Sequence, residues 1–319
     1  MFPLFERFPS LKSVPRVSLC TLPSPVQKVE LPGLDPLWIK RDDLNAPVSG
    51  GNKARSLEFL LGGLNEGDRV VTVGGAGSTH VLATTAHAAR IGVTVESRRW
   101  THDMNPAADI IARHVTDRTA RDPGRSAALA LVTARLHAAR SRTRFIPIGG
   151  STPLGVLGHV NAALELASQI ERGELPVPER VVVPLGSGGT TAGLLLGFAI
   201  AGVPTAVVGA RVGPRLFVNR YAVLRLARAT AAFIRLLSGT GVPPIDASRL
   251  HIAQHVYGGA YGRPLAAARD AANILQTAEG IGLDDTYSAK AWVAALDELR
   301  SGKGPVLFWL TFDARCLTN

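Results

Sequence analysis

A lysine behind two glycines is the first group in this sequence that could carry out chemistry. Gly50-Gly51-Asn52-Lys53 stands between a predicted strand and a predicted helix. The glycines let the backbone approach a ligand closely, and the start of the helix favours an anion. A lysine placed there is partly desolvated, which lowers its pKa and makes its amine a usable nucleophile. Taken alone, the motif is more typical of an exposed lysine in the first turn of a helix.

A second polar group opens the helix that follows the next predicted strand. Residues 69–73 form the strand, and after a glycine turn Ser78 stands at the expected N-cap position, with Thr79 and His80 in the first helical turn. A hydroxyl, an imidazole and free backbone N–H groups together can bind a carboxylate. An ordinary capped turn between strand and helix is the alternative interpretation.

The same turn also has part of a dinucleotide-binding pattern. Gly75-x-Gly77 follows a strand, and Glu96 lies about 20 residues further on. The third position of the pattern is His80 rather than glycine or alanine, which weakens the packing of helix against strand that the pattern requires. A nicotinamide-dependent dehydrogenase is therefore the weaker alternative.

The third candidate is a glycine-rich loop after the predicted strand 181–183. It reads Gly186-Ser187-Gly188-Gly189-Thr190-Thr191-Ala192-Gly193. Its backbone N–H groups can form a phosphate nest, to which the hydroxyls add further donors. The loop lacks the lysine of a Walker motif and does not match G-x-S-x-G. By itself it predicts an anion site, most simply a phosphate site.

The order of these three motifs is more specific than any one of them. They provide an amine, a carboxylate site and a cradle for a monophosphate. Pyridoxal 5'-phosphate (PLP) requires these three things: a lysine for its Schiff base, a phosphate site and a place for the carboxylate of an amino-acid substrate. We therefore predict a PLP enzyme for a small amino acid, with no metal centre.

Strands and helices alternate along most of the chain. Predicted strands cover residues 37–40, 69–73, 93–95, 145–147, 181–183, 205–210, 249–253 and 305–310. Predicted helices cover residues 52–64, 78–90, 106–115, 124–140, 154–172, 215–237, 264–279 and 288–301. This alternation predicts an α/β fold of parallel sheets with helices on both faces, with ligands at the carboxyl ends of the strands. A length of 319 residues favours two lobes.

The composition favours a cytoplasmic enzyme over a nucleic-acid or membrane protein. The formal net charge is +10, but the basic residues are scattered, and the clusters Arg98-Arg99 and 135–144 lack a nucleic-acid motif. The two cysteines, Cys20 and Cys316, cannot form a disulfide framework. Charges and prolines interrupt the N-terminal apolar residues, and no apolar run reaches about 18 residues, so neither a signal peptide nor a membrane span is expected.

Six motifs in order resemble the family of 1-aminocyclopropane-1-carboxylate (ACC) deaminases and D-cysteine desulfhydrases. They cover residues 39–44, 50–55, 149–155, 186–193, 261–264 and 284–291. The resemblance spans about residues 35–313. It implies a two-domain, tryptophan-synthase-β-like PLP fold (fold type II) and a homodimer. Residues 1–48 and 160–319 would form a large PLP-binding domain, and residues 49–159 a small mobile domain.

The resemblance also implies roles for individual residues. Lys53 would hold PLP as a Schiff base and move the Cα proton. Ser78 would lie beside the substrate as a nucleophile or proton carrier, and His80 would help to hold the substrate carboxylate. Tyr261 and Tyr287 would flank the cofactor ring and the substrate. The cofactor-binding set would be Lys53, Asn52, Thr79, Gly186, Ser187, Gly188, Gly189, Thr190 and Thr311.

Some positions depart from the family pattern. Thr79 stands where an asparagine usually contacts the phenolic oxygen of PLP, and Ser56 stands where a second lysine often lies near the phosphate. A charge-assisted contact worth about 1.5–3 kcal/mol would be missing there. Ser288 replaces the acidic residue usual in ACC deaminases, and Thr311 matches the desulfhydrase-like members.

These departures lead to one favoured function and two alternatives. The favoured function is a carbon–sulfur lyase or deaminase that catalyses β-elimination of the D-cysteine desulfhydrase type. The first alternative is an ACC deaminase or another specialised amino-acid PLP enzyme. The second alternative is a catalytically impaired PLP-binding protein, suggested by Thr79 and Ser56.

Overall fold

Nine strands and ten α-helices are assigned in the computed structural model, which describes residues 2–31, 33–102, 105–119, 124, 126–302 and 304–317. The strands are β1 (Val26–Val29), β2 (Leu37–Arg41), β3 (Arg69–Gly75), β4 (Thr94–Trp100), β5 (Arg144–Ile146), β6 (Arg180–Leu185), β7 (Ala206–Arg211), β8 (Leu250–Ala253) and β9 (Val306–Leu310). The helices are α1 (Pro3–Arg7), α2 (Asn52–Leu60), α3 (Thr79–Ala89), α4 (Pro106–Thr119), α5 (Ala127–Ser141), α6 (Pro153–Glu171), α7 (Gly189–Ala201), α8 (Arg220–Ser238), α9 (Ala266–Glu279) and α10 (Ser288–Arg300).

The strands form two sheets in the described part of the chain. The larger sheet has the order β1-β2-β9-β6-β7-β8, and the smaller one has the order β4-β3-β5. The edge strand β1 runs antiparallel to β2, and all other paired strands are parallel. The predicted α/β fold with parallel sheets is therefore confirmed, and β1 is its one antiparallel addition among the described strands.

The larger sheet is covered by apolar clusters on both faces. All five residues of β9 are buried, as expected for a central parallel strand. Phe308 faces a cluster with Trp292 of α10, whereas Trp309 faces a cluster that includes Leu194 of α7. This arrangement holds α7 against the sheet with its N-terminus directly after β6. The glycine-rich loop therefore lies at the carboxyl edge of the sheet, where ligands bind in such folds.

Close helix packing beneath this loop depends on glycine. At Gly193 of α7, a Cβ atom would lie 2.3 Å from the Cβ of His159 in α6. At Gly158 of α6, a Cβ would lie 2.0 Å from the carbonyl oxygen of Arg55 in α2. The absence of side chains at these positions lets α2, α6 and α7 pack directly together.

The division into domains remains a prediction. The sheet β4-β3-β5 lies within the predicted small domain, residues 49–159, and both predicted domains include residues outside the described ranges. The boundary predicted between residues 159 and 160 falls inside α6, which packs against both α2 and α7. A boundary within a continuous packed helix is not a flexible linker, so a division near the start of α6 suits the geometry better.

Several element ends differ from the sequence expectations. The helix predicted over residues 52–64 ends at Leu60, because Gly62 lies against the backbone of Pro15 and Gly63 adopts a φ of 74°. The chain also has a short N-terminal helix, α1, in a segment for which the sequence analysis predicted no helix. The predicted helix 124–140 is observed from Ala127 onwards, and residue 125 lies outside the described part. No helix among the described residues is long and apolar enough to cross a bilayer.

Candidate active site

The lysine motif and the glycine-rich loop meet at the carboxyl edge of the larger sheet. The backbone N–H of Asn52 donates to the carbonyl oxygen of Thr311 at 3.0 Å. The side-chain amide of Asn52 donates to Oγ1 of Thr190, in the first turn of α7, at 2.8 Å. Asn52 thus joins three segments that are far apart in the sequence, and it places Lys53 beside the predicted phosphate loop and Thr311.

Lys53 lies in the first turn of α2 and is partly buried. Burial lowers the pKa of its amine from 10.5 to about 8. Gly51, directly before the helix, has a φ of 131°, and a Cβ atom there would lie 2.2 Å from the carbonyl oxygen of Thr311. Glycine is therefore required for the close approach that brings the lysine to this edge. An amine with this pKa is a nucleophile and a base near neutral pH.

The glycine-rich loop has the backbone that an anion site needs. Gly188 caps α7 with a φ of 88° and makes no side-chain cap, so the first N–H groups of the helix are left for a ligand. Oγ1 of Thr191 is buried without a hydrogen-bond partner among the described residues. Ser187 is exposed, and its hydroxyl accepts a hydrogen bond from Ser151 at 2.7 Å. Ser151 was missed by the sequence analysis, although its motif was noted.

The start of α3 places three polar side chains in a buried position. Ser78 is the N-cap, as predicted, and its hydroxyl accepts from the N–H of Val81 at 3.4 Å. His80 is 3% exposed, and its Nε2 lies 3.0 Å from Oγ1 of Thr72. Burial and the nearby Lys53 lower the pKa of His80 to about 3. Any carboxylate that His80 binds would therefore meet a neutral ring instead of a positive charge.

Two tyrosines form a hydrogen-bonded pair across the site. The hydroxyls of Tyr261 and Tyr287 are bonded to each other, and His102 stacks edge-on against Tyr261 with ring centroids 4.9 Å apart. Burial, and next the neighbouring Tyr261, raise the pKa of Tyr287 well above its usual value, while a hydrogen bond from Thr79 acts in the opposite direction. Both phenols therefore stay protonated at neutral pH. Thr79, expected at the cofactor, contacts Tyr287.

Asp284 fixes the position of Tyr287. Its two carboxylate oxygens accept the backbone N–H groups of Thr286, Tyr287 and Ser288 at 3.0, 2.7 and 3.0 Å. These bonds cap the start of α10 and hold the tyrosine at the site. Asn105, at the start of α4, donates to Oγ1 of Thr286 at 2.9 Å. Neither Asp284 nor Asn105 was among the predicted site residues, because their role is to orient another residue.

A buried charge cluster supports α2 from below. Arg55 donates to both oxygens of Asp42, at 2.8 and 2.6 Å, and also reaches Glu165 of α6. Lys40 forms an ion pair with Glu165 at 2.7 Å. Burial alone would raise the pKa of Glu165, but Arg55 and Lys40 outweigh it and lower that pKa to about 2. The two cations and two carboxylates balance, and they fix the helix that carries Lys53 relative to β2 and α6.

The dinucleotide interpretation does not suit the position of its acidic residue. Glu96 lies within β4, where its carboxylate lies 2.9 Å from Nε2 of His137 and forms an ion pair with Arg98 at 3.1 Å. A carboxylate with these partners is not placed to accept ribose hydroxyls at the end of a strand.

The fold and the site together define a class of protein. A parallel sheet carries a helix-capped anion loop at its carboxyl edge, and a partly buried lysine amine and a protonated tyrosine pair lie beside that loop. This arrangement suits an α/β enzyme with a phosphate-bearing carbonyl cofactor.

Comparisons with known proteins identify the family. The chain belongs to the pyridoxal-phosphate dependent enzymes, with residues 17–311 matched. It is 38% identical over 322 residues to the nocardicin C-9' epimerase of Nocardia uniformis subsp. tsuyamanensis, covering 95% of this chain and 94% of that protein. It is 32% identical over 330 residues to the D-cysteine desulfhydrase of Salmonella newport, covering 96% of each. A crystal structure of an ACC deaminase homologue superposes with a TM-score of 0.78 at 29% identity, over 98% of this chain and 94% of the other.

The residues at this edge fit the cofactor of the family. Lys53 offers an amine with a pKa of about 8. The unpartnered hydroxyl of Thr191 and the uncapped start of α7 offer donors for a phosphate. At Gly189 a Cβ would lie 2.8 Å from Oγ of Ser151, so the backbone there stays bare of side chains. The enzyme is therefore PLP-dependent, because its family uses PLP and the residues of its site fit that cofactor.

Proposed function

We propose that this protein is a PLP-dependent lyase that removes the Cα proton of a small amino acid and expels its β-substituent, as in D-cysteine desulfhydration. The observation that carries the proposal is the partly buried amine of Lys53, with a pKa of about 8, beside the anion loop that starts at Gly186. The D-cysteine desulfhydrase relatives support the choice of reaction.

Several of the predicted residues have a defined task in this proposal. The backbone of Gly188 and Gly189, together with the hydroxyls of Thr190 and Thr191, would hold the phosphate, and Thr311 would face the ring. Lys53 would hold the cofactor as a Schiff base. When bound, PLP supplies an electron sink that makes the Cα proton of an amino acid acidic.

Residues of the chain itself then accept and donate the protons. The amine of Lys53 is neutral for a substantial fraction of the time near pH 8, so it can take the Cα proton. Ser78 would lie beside the substrate, and its hydroxyl proton is free to donate because the cap uses only its oxygen. Tyr261 and Tyr287 keep their protons and can donate one to a departing thiolate.

The test is the release of hydrogen sulfide, pyruvate and ammonia from D-cysteine by the PLP-loaded protein. We expect equal amounts of the three products, and no product from Lys53→Ala. The matched control is Lys12→Ala, because Lys12 is exposed and distant from the site. ACC is the comparison substrate. A PLP-loaded protein that is inactive on D-cysteine, L-cysteine and ACC would overturn the lyase proposal and would favour a specialised substrate or an impaired enzyme.

Epimerisation at an amino-acid Cα is the second candidate, because the nocardicin C-9' epimerase is 38% identical. This reaction needs two proton carriers, and Lys53 and the protonated pair of Tyr261 and Tyr287 could supply them. In deuterium oxide, an epimerase would return the substrate with deuterium at Cα and inverted configuration, and would release no pyruvate. A lyase would release pyruvate from the same incubation, so one experiment separates the two.

Assembly and location are further parts of the proposal. We expect a homodimer and a cytoplasmic protein, with residues 49–159 closing over the substrate. Light scattering of the PLP-loaded protein tests the first expectation, and a mass of one chain would contradict it. Hydrogen exchange with and without a substrate analogue tests the closure, which should protect β3, β4 and β5 if it occurs.

A further inference from the structure

A buried arginine lies next to the anion loop, and no carboxylate among the described residues pairs with it. Arg211 is the last residue of β7 and pairs with Leu185, the residue directly before the loop. The N–H of Val212 donates to the carbonyl oxygen of Leu185 at 3.0 Å. Neighbouring strands lie about 4.8 Å apart, so the side chain of Arg211 starts close to the loop. It is 9% exposed.

The guanidinium of Arg211 uses little of its bonding capacity. Nη1 donates to the carbonyl oxygen of Gly213 at 2.9 Å, and the group lies 4.3 Å from the ring centroid of Tyr257. Nε is enclosed without a hydrogen-bond partner among the described residues. The bond from Nη1 is the one hydrogen bond of this side chain to the described residues, and none is made by Nη2. A guanidinium has five N–H donors, so most of them are free here.

Such a group is unfavourable unless something else pairs with it. A buried charge without a counter-charge costs free energy, whereas the cluster around Arg55 balances its charges internally. A planar guanidinium matches the two oxygens of a carboxylate or phosphate. The ring of Tyr257 holds one face of Arg211, which leaves its edge for such a ligand.

We propose that Arg211 is an anion-binding residue of this site and that it receives a phosphate or carboxylate group at the carboxyl end of β7. The anion could come from two sources. The phosphate of PLP is one, because Ser56 offers no charge to it and its hydroxyl donates to the carbonyl oxygen of Lys53 at 3.0 Å. A second acidic group on the substrate is the other, because Arg211 contacts Tyr257, and the segment that follows Tyr257 carries Tyr261 of the site.

The first experiment compares PLP with pyridoxal, which lacks the phosphate, in wild type, Arg211→Met and Arg211→Lys. Binding is measured from the visible absorbance of the lysine-bound cofactor. If Arg211 binds the phosphate, Arg211→Met weakens PLP binding by about 10- to 100-fold, the range of one charge-assisted hydrogen bond. Pyridoxal binding stays unchanged, and Arg211→Lys loses less than Arg211→Met. The control Arg225→Met removes an exposed arginine of α8, and it should change neither PLP binding nor pyridoxal binding.

The second experiment compares acidic with neutral amino acids as ligands of the PLP-loaded variants, followed by the change in cofactor absorbance. If Arg211 binds a substrate anion, Arg211→Met weakens binding of aspartate or glutamate but not of alanine or serine, while PLP binding is retained. Unchanged selectivity in both experiments overturns the proposal. An equal loss of PLP and pyridoxal also overturns it, because that result assigns Arg211 a structural role. These results do not depend on the lyase proposal. That proposal would fail if the wild-type protein bound PLP but released no hydrogen sulfide or pyruvate.

Discussion

Replacing Lys53 with methionine is expected to stabilise the cofactor-free protein at neutral pH. Burial lowers the pKa of the Lys53 amine from 10.5 to about 8. Between these values the unfolded chain binds a proton that the folded chain has lost, so stability rises with pH. Below about pH 8 the folded protein bears the full cost of a charged, desolvated amine. A pKa difference of about 2.5 corresponds to about 3 kcal/mol.

The assay is urea unfolding of the cofactor-free wild type and Lys53→Met at two pH values. At pH 7 the free energy of unfolding of the variant should exceed that of wild type by about 3 kcal/mol, because methionine carries no charge to desolvate. At pH 9.5 the expected difference is about 1.4 kcal/mol, because the folded amine is by then neutral and only the cost of removing its proton, about one pH unit below the unfolded pKa, remains. Methionine is unbranched like lysine and one atom shorter, so packing changes little.

Two results would refute this reasoning. Equal stabilities at pH 7 would mean that the amine is not desolvated. A difference that stays constant between pH 7 and pH 9.5 would mean that packing, and not charge, separates the two proteins. The control Lys12→Met alters an exposed lysine, and it should leave the free energy of unfolding unchanged at both pH values.

Three further predictions concern the surroundings of the lysine. Glu165→Gln leaves the two cations Lys40 and Arg55 with Asp42 as their one remaining counter-charge in this cluster and should cost about 3–5 kcal/mol by urea unfolding at pH 7. Because the pKa of Glu165 is lowered to about 2, this loss should shrink as the pH falls below 4.5. Tyr287→Phe removes a phenol proton and should lower turnover by about 10²–10⁴-fold while the PLP absorbance remains. Undiminished turnover would exclude Tyr287 as a proton donor. Gly158→Ala places a Cβ 2.0 Å from the carbonyl oxygen of Arg55, so it should lower the free energy of unfolding by about 1–3 kcal/mol and weaken PLP binding. Unchanged stability and unchanged PLP binding would show that α2 and α6 can separate freely.

The overall fold could be predicted because its signals are local. Alternating apolar strands and amphipathic helices indicate parallel sheets wherever they occur, and the N-cap at Ser78 follows from residue type and position. The end of α2 at Leu60 was also readable, because Gly62 and Gly63 follow it, but the spacing of leucines favoured a longer helix. The short helix α1 lacked such a signal and depends on packing against α6.

The partners of the site residues could not be predicted. Nothing in the sequence indicates that Asn52 bonds to Thr190, because the two are joined only by the folding of the whole sheet. The sequence analysis gave neither Arg55 nor Arg211 a role of its own, because arginine on a helix or strand usually faces solvent, yet both are buried. The contact between Thr79 and Tyr287 is likewise a consequence of tertiary packing. The order of the motifs along the chain identified the class of cofactor. The structure was needed to show which side chains hold the site residues in position.

The most direct test of the account is to identify the residue that binds PLP. The PLP-loaded protein is reduced with borohydride, digested and analysed by mass spectrometry. We predict a reduced pyridoxyl group on the peptide that contains Lys53, and none in Lys53→Ala. A pyridoxyl group on another buried lysine, such as Lys290, or no covalent label in a protein saturated with PLP, would contradict the account.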